Sequence, residues 1–333
     1  MESEIYAKIL NISELPDYLN QVENRIIEAI SGANSHIKKP INRLLEGLNK
    51  PKRAFLVIAA AQSQGGVVDD TVISCAAAIE LANMGVSVHD DIMDNADKRW
   101  GVSSVNAKEG VGQALLVGDY LLALAIDQAR AHSSEASKVI IDSITTMVNG
   151  QSQETADRYN IDRSVDSYLD SIRMKTCSLT AAACRLGGLC AELDQEKIDS
   201  LSAYGESVGM MFQLLDDLLD LLSTEEFFGK PVDSDVREGI YTFPVLLALK
   251  GQRKNHIKAM LKELPRGRTA PPELLNLLRS SGSIQDTIQE IRSQNDNAAK
   301  ALINFETNKI VDGLSRLPAD SFDLALEKLA VRL

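Results

Sequence analysis

The chain is predicted to be all-α, a single helical domain over residues 1–333, and three observations carry that prediction. Apolar residues recur at helical spacing through most of the sequence. Hydrophobic residues make up 44% of the chain but aromatics only 5%, so the core has to be built largely from Ala and Leu, the strongest helix formers among apolar residues. Strand signals are nearly absent, with no alternating run of β-branched residues and no Asn-Gly turn. No fixed-period repeat and no low-complexity linker divides the chain.

Residues 1–47 read as amphipathic helices broken near Ser31-Gly32 and Pro40. The run 54–63 is a buried helix that Gly65-Gly66 ends. Asp69, Asp70 and Thr71 offer N-caps for a long helix from 71 to about 95. A loop is expected at 100–104, then helices over 112–132, 140–159, 166–189 and 195–222. Residues 227–238 are polar and read as a loop ahead of an apolar helix at 243–250. From 251 to 333 short helical patterns alternate with Pro, Gly and Ser breaks.

The formal charge of −12 argues against a nucleic-acid binder and against a polybasic membrane anchor. Cys75, Cys177, Cys184 and Cys190 lie in apolar helical stretches without paired metal-ligand spacing, and read as reduced core residues. The N-terminus is acidic and lacks an apolar signal core. The apolar runs 54–61 and 115–126 are too short or too interrupted to span a bilayer. A cytoplasmic protein without an integral membrane segment is expected.

The chemistry is concentrated in two similar stretches. Val88-His89-Asp90-Asp91-Ile92-Met93-Asp94 sets Asp90 and Asp94 one helical turn apart on one face. The Asp-Asp-x-x-Asp spacing returns at Asp216, Asp217 and Asp220, within the apolar run from Phe212 to Leu222. One such motif is usually a solvated helix face. Two, each in an apolar helix and each followed by basic residues (Lys98-Arg99, then Lys230), point to a shared cationic load. Carboxylates with no His or Cys cluster favour a hard ion such as Mg²⁺, which keeps waters and substrate phosphates in its shell. The two clusters are expected to meet face to face in the bundle.

With these motifs the chain resembles the trans-isoprenyl (polyprenyl) diphosphate synthases, over about residues 44–250. The resemblance implies the isoprenoid synthase fold, a helical bundle around a central cavity, and head-to-tail prenyl transfer. An allylic diphosphate ionises and isopentenyl diphosphate attacks the cation. It also implies Mg²⁺ held chiefly by Asp90, Asp94 and Asp216, with Asp91, Asp217 and Asp220 in support. Arg99, Lys175 and Lys230 match the family's cations on the allylic diphosphate. Thr176 and Gln213 match positions beside the reacting carbons. Gln151 and Glu154, in Gly150-Gln151-Ser152-Gln153-Glu154, match an element that orients the metal shell. His89 is given no catalytic role.

The match weakens on the acceptor side. Lys50 and Arg53 survive from the family's usual Gly-Gly-Lys-Arg-x-Arg-Pro, but Pro51 and Ala54 depart from it. Asn83 stands where His or Gln is usual, Trp100 replaces a second Arg, and Ile240 replaces a Lys. Trp cannot supply a guanidinium fork. The expected reaction still uses isopentenyl diphosphate, through Lys50, Arg53 and Asn83. A terpene cyclase, or a prenyltransferase with another acceptor, is the alternative. A non-catalytic partner subunit is disfavoured by six aligned carboxylates. Gly85 and Val86, one turn before the first motif, are expected to line the floor under the growing chain. With no aromatic plug there, a product of geranylgeranyl length or longer is expected. A competing reading of Gly85 is close helix packing. The family resemblance also implies a homodimer.

Overall fold

A computed structural model describes residues 2–48, 53–222, 234–264, 266, 268 and 270–330. The helices run in the order α1 (Glu2–Leu10), α2 (Leu15–Ala29), α3 (Ser35–Leu48), α4 (Ala54–Gln62) and α5 (Asp70–Met93). A two-stranded hairpin follows, β1 (Lys98–Arg99) and β2 (Val102–Ser103), then α6 (Val105–Glu109), α7 (Val111–Arg130) and α8 (Ser134–Ala156). Next come α9 (Val165–Ile172), a π-helical turn (Arg173–Cys177), α10 (Ser178–Cys190) and α11 (Gln195–Leu222). The remainder is α12 (Ser234–Glu238), α13 (Phe243–Ala248), α14 (Lys254–Glu263), α15 (Pro272–Arg279), α16 (Ser283–Ala301) and α17 (Lys309–Ala330). The all-α class is borne out. The helices group into two compact units.

The first unit comprises residues 1–145, 179–205 and 301–317, and α5 is its core helix. Every residue of α5 from Val72 to Gly85 is buried, so the helix is apolar all round rather than along one stripe. The helices α2, α4 and α7 pack on it. Its start is fixed by Asp69, whose side chain accepts from the Val72 amide at 3.0 Å. By length and composition α5 could cross a membrane, which the runs 54–61 and 115–126 did not indicate; 83% of its apolar window is buried within the protein, as in a core helix. Gly85 lets α7 approach closely, since a Cβ there would lie 2.9 Å from Leu122 and 3.1 Å from the Gly118 carbonyl.

The second unit comprises residues 146–178, 206–300 and 318–333. Its core gathers Tyr168, Met211, Leu214, Leu218, Val245 and Phe322, with Ile257, Leu274 and Ile291 from the later helices.

Several local expectations are corrected. Pro40 lies inside α3 and Pro318 inside α17, so neither breaks its helix. The C-terminal stretch is more regular than its Pro and Ser content indicated, with helices of 19 and 22 residues. Residues 100–104 are not simply loop. Lys98 pairs with Ser103 and Arg99 with Val102, around a tight turn with Trp100 at φ 50° and Gly101 at φ 82°. Two positive φ values match the twist of a hairpin, but a Trp in that region is uncommon. Within 227–238, residues 234–238 form α12.

Candidate active site

The first aspartate motif closes α5. Asp91 is fully buried, while Asp90 and Asp94 are half-buried. Arg99, on β1, turns back and donates to one Asp91 oxygen from Nε at 2.8 Å and again from Nη2. The hairpin that delivers Arg99 is pinned from behind. Arg43 donates to the Ser103 carbonyl at 3.0 Å and pairs with Glu109 at 2.5 Å. Asn106 Nδ2 donates to the carbonyls of Asp91 at 3.1 Å and Ala96 at 3.2 Å.

Upstream on α5, Asn83 Oδ1 accepts from Arg53 Nη1 at 2.7 Å. Glu80 is fully buried and receives the amides of Arg53 at 2.5 Å and Ala54 at 2.7 Å, capping the start of α4. Burial lowers the Arg53 guanidinium from its ordinary value, and the Glu80 charge opposes that. Arg53 and Asn83 were expected from the sequence at an acceptor site; Glu80 was not, because it sits one turn before Asn83 on a face that periodicity alone assigns to core. Lys50 and Lys230 lie outside the described residues.

The two floor candidates separate. Gly85 faces α7, packed against Leu122. Val86 is only half-buried and lies one turn before Asp90 on the same face. His89 crosses to α7 as well, its Nε2 3.3 Å from the Leu115 carbonyl, over Gly118.

The second motif lies in α11 with the same graded burial. Asp217 is 1% exposed, Asp220 is intermediate and Asp216 is exposed. Asp217 accepts from Tyr168 Oη at 2.5 Å, Gln213 Nε2 at 3.2 Å and the Phe243 amide at 3.3 Å. Burial pushes its carboxyl up to about 7 against the effect of those donors. Burial also raises Asp235, reinforced by the charges of Asp220, Asp217, Asp216 and Glu154. The Asp235 amide is 3.4 Å from Asp220 Oδ2. Asp235 was not singled out from the sequence, because it lies within the polar stretch 227–238 read as loop.

Lys175 and Thr176 lie in the π-helical turn, which the periodicity of 166–189 concealed. Such turns add a residue to the helix and recur at functional sites. Here Lys175 Nζ reaches Glu154 Oε1 at 2.5 Å, and Thr176 Oγ1 donates to Gln213 Oε1 at 2.8 Å. Gly150 allows α8 to abut the turn, since a Cβ would lie 2.5 Å from the Lys175 amide. The adjacent Gln151 is 6% exposed, and neither polar atom of its side chain has a hydrogen-bond partner among the described residues. An unsatisfied buried amide costs about 1–3 kcal/mol, so a partner arriving with a ligand would stabilise it.

Among the described residues no three His, Cys, Asp or Glu side chains converge on one metal position. The more accessible carboxylates of each motif, Asp90 and Asp94 in the first and Asp216 and Asp220 in the second, nevertheless offer oxygen donors only. That set suits a hard divalent cation which takes one or two carboxylates and fills its shell with water and phosphate oxygens.

A family model for polyprenyl synthetase matches residues 34–278. The chain is 36% identical to the heptaprenyl diphosphate synthase component 2 of Geobacillus stearothermophilus, covering 72% of this chain and 75% of that one. It is 35% identical to the nonaprenyl diphosphate synthase of Mycobacterium tuberculosis, covering 78% of each. Its fold superimposes on a Caulobacter crescentus polyprenyl synthase, solved with calcium and isoprenyl diphosphate, with a TM-score of 0.87 at 27% identity, over 95% of this chain and 97% of that one.

Proposed function

This chain belongs to the polyprenyl synthetase family and is a prenyltransferase; we propose that it condenses an allylic diphosphate with isopentenyl diphosphate, head to tail, in a Mg²⁺-dependent reaction. The product is a polyprenyl diphosphate of geranylgeranyl length or longer. The observation that carries this reading is the shared design of the two motifs. In each, the middle aspartate is buried on a protein partner, Arg99 for Asp91 and Tyr168 for Asp217, while the outer carboxylates are more accessible.

Bound Mg²⁺ supplies Lewis-acid stabilisation of the departing diphosphate. Asp90 and Asp94 in the first motif, and Asp216 and Asp220 in the second, are the carboxylates that would hold metal. Arg99, oriented by Asp91, and Lys175, oriented by Glu154, meet the negative charge that grows on the diphosphate oxygens. Gln151 offers a buried amide beside the Lys175 turn. Arg53 and Asn83 bind the acceptor diphosphate, together with Lys50. Thr176 and Gln213 place oxygen dipoles at the carbocation. Val86 lies under the growing chain, and its modest size is consistent with a long product.

Exposed apolar residues on α7 and α8 (Val111, Leu115, Leu116 and Ile141) support a homodimer. Light scattering on the purified protein tests this, and a monomeric mass would refute it.

One observation favours a second reading. Trp100 fills the position of a second acceptor-side Arg in a pinned hairpin, so the acceptor could be something other than isopentenyl diphosphate. Diphosphate release distinguishes the readings. The synthase releases diphosphate from an allylic substrate only when Mg²⁺ and isopentenyl diphosphate are both present. A cyclase releases it with Mg²⁺ and the allylic substrate alone.

A further inference from the structure

Four side chains of the second unit form a hydrogen-bond line with a fixed direction. Tyr168 Oη donates to Asp217 Oδ2 at 2.5 Å, Gln213 Nε2 donates to Asp217 Oδ1 at 3.2 Å, and Thr176 Oγ1 donates to Gln213 Oε1 at 2.8 Å. The Phe243 backbone amide, which can only donate, and Tyr168 Oη both address Asp217 Oδ2, leaving Oδ1 as the acceptor for Gln213. Asp217 therefore turns the Gln213 nitrogen toward itself and the amide oxygen toward Thr176. That oxygen takes the Thr176 hydroxyl proton. What Thr176 then offers beyond the line is an oxygen lone pair. With the amide reversed, Gln213 would donate to Thr176 and the hydroxyl proton would point outward, presenting the opposite dipole.

The surroundings hold this direction in place. Tyr168 is 1% exposed, and the Arg163 guanidinium lies 5.2 Å over its ring. Arg163 in turn pairs with Asp157 at 3.1 Å and donates to Ser171 Oγ at 2.5 Å. Asp217 is engaged on both oxygens by protein donors, and the Phe243 amide is a third. Its neighbour Asp216 is exposed. One aspartate of the motif thus faces the protein while another faces outward.

We infer that Tyr168 and Asp217 are positioning residues for prenyl transfer: they fix the Gln213 amide and the Thr176 hydroxyl so that an oxygen lone pair, and not a proton, meets the allylic carbocation. A proton there would oppose the positive charge, and a lone pair steadies it. The inference rests on the synthase reading above. It makes Asp217 an orienting group rather than a metal ligand.

The test is a double-mutant cycle on the full-length protein, reading kcat, the KM for the allylic diphosphate, and the Mg²⁺ concentration giving half-maximal rate. Wild-type activity is the control, because a wild type that forms no prenyl diphosphate overturns the synthase reading itself before any variant is compared. Tyr168→Phe is expected to lower kcat about tenfold, with KM and the Mg²⁺ requirement unchanged. In a Thr176→Val background the same change is expected to have little further effect. Asp217→Asn is expected to lower kcat at an unchanged Mg²⁺ requirement. Effects of Tyr168→Phe and Thr176→Val that multiply would overturn the inference, as would an Asp217→Asn enzyme needing markedly more Mg²⁺. If Tyr168→Phe does not fold, Gln213→Met replaces it in the cycle, and the same two outcomes decide.

Discussion

Arg99 Nε and Nη2 both donate to a single carboxylate oxygen of Asp91, with the Nε bond at 2.8 Å. Asp91 is fully buried and Arg99 is about three-quarters buried, so the guanidinium is oriented before any substrate arrives. A Lys ammonium cannot make this two-nitrogen contact and keep its charge in the same place. Arg99→Lys is therefore expected to raise the KM for the allylic diphosphate at least about tenfold. Steady-state kinetics would show it, and an unchanged KM would remove Arg99 from the substrate site.

Val86 and Gly85 should respond differently to enlargement. Val86 is half-buried one turn before Asp90, whereas Gly85 is wedged against Leu122. Val86→Phe is expected to shorten the product while the protein stays folded. Gly85→Phe is expected to lower stability by about 1–3 kcal/mol through overpacking. Chromatography of the product diphosphates and thermal melts check the pair. A Val86→Phe enzyme with an unaltered product length would remove Val86 from the floor.

The start of α5 depends on Asp69. The Thr71 hydroxyl and the Val72 amide hold its carboxyl below the ordinary value. A depressed folded-state pKa gives stability that is present above the unfolded value and lost as the pH falls through the folded one. Asp69→Ala should cost about 1 kcal/mol at neutral pH, and the difference from wild type should shrink in acid. Urea melts at several pH values provide the comparison; a pH-independent difference would count against the cap.

Burial raises the thiols of Cys177, to about 12, and Cys184, above its ordinary value. Neither should be thiolate near neutral pH, and thiolate is the reactive form. Iodoacetamide should leave both unmodified in the folded protein and label them after unfolding. Mass spectrometry of the digested protein reads this directly. Rapid native-state labelling would contradict their placement in the core.

What was legible in the sequence was whatever local pattern determines. The 195–222 helix was placed to the residue because its apolar period and polar flanks agree, and Asp69 was found as a cap by type and position. The all-α class followed from composition and period, whereas the contacts of Arg53 with Asn83 and of Lys175 with Glu154 were not anticipated. What was missed depends on distant partners. Tyr168 and Asp217 are 49 positions apart, and nothing local marks that Tyr as different from any core aromatic. The π-helical turn keeps helical composition while changing its hydrogen bonding, so apolar period cannot reveal it. The hairpin at 98–103 has a Trp where Asn or Gly would have announced the turn. Pro40 read as a break because a proline inside a helix removes one backbone bond, yet α3 runs through it, as α17 runs through Pro318.

The most direct measurement of the central claim is transfer of label from isopentenyl diphosphate. The purified protein, with Mg²⁺, would be offered labelled isopentenyl diphosphate and, separately, dimethylallyl, geranyl, farnesyl and geranylgeranyl diphosphates. The account predicts label in longer diphosphates of geranylgeranyl length or beyond, from at least one primer and abolished by chelation. Release of diphosphate with an unlabelled neutral hydrocarbon or alcohol would contradict it, and would show that the site around Trp100 no longer takes isopentenyl diphosphate.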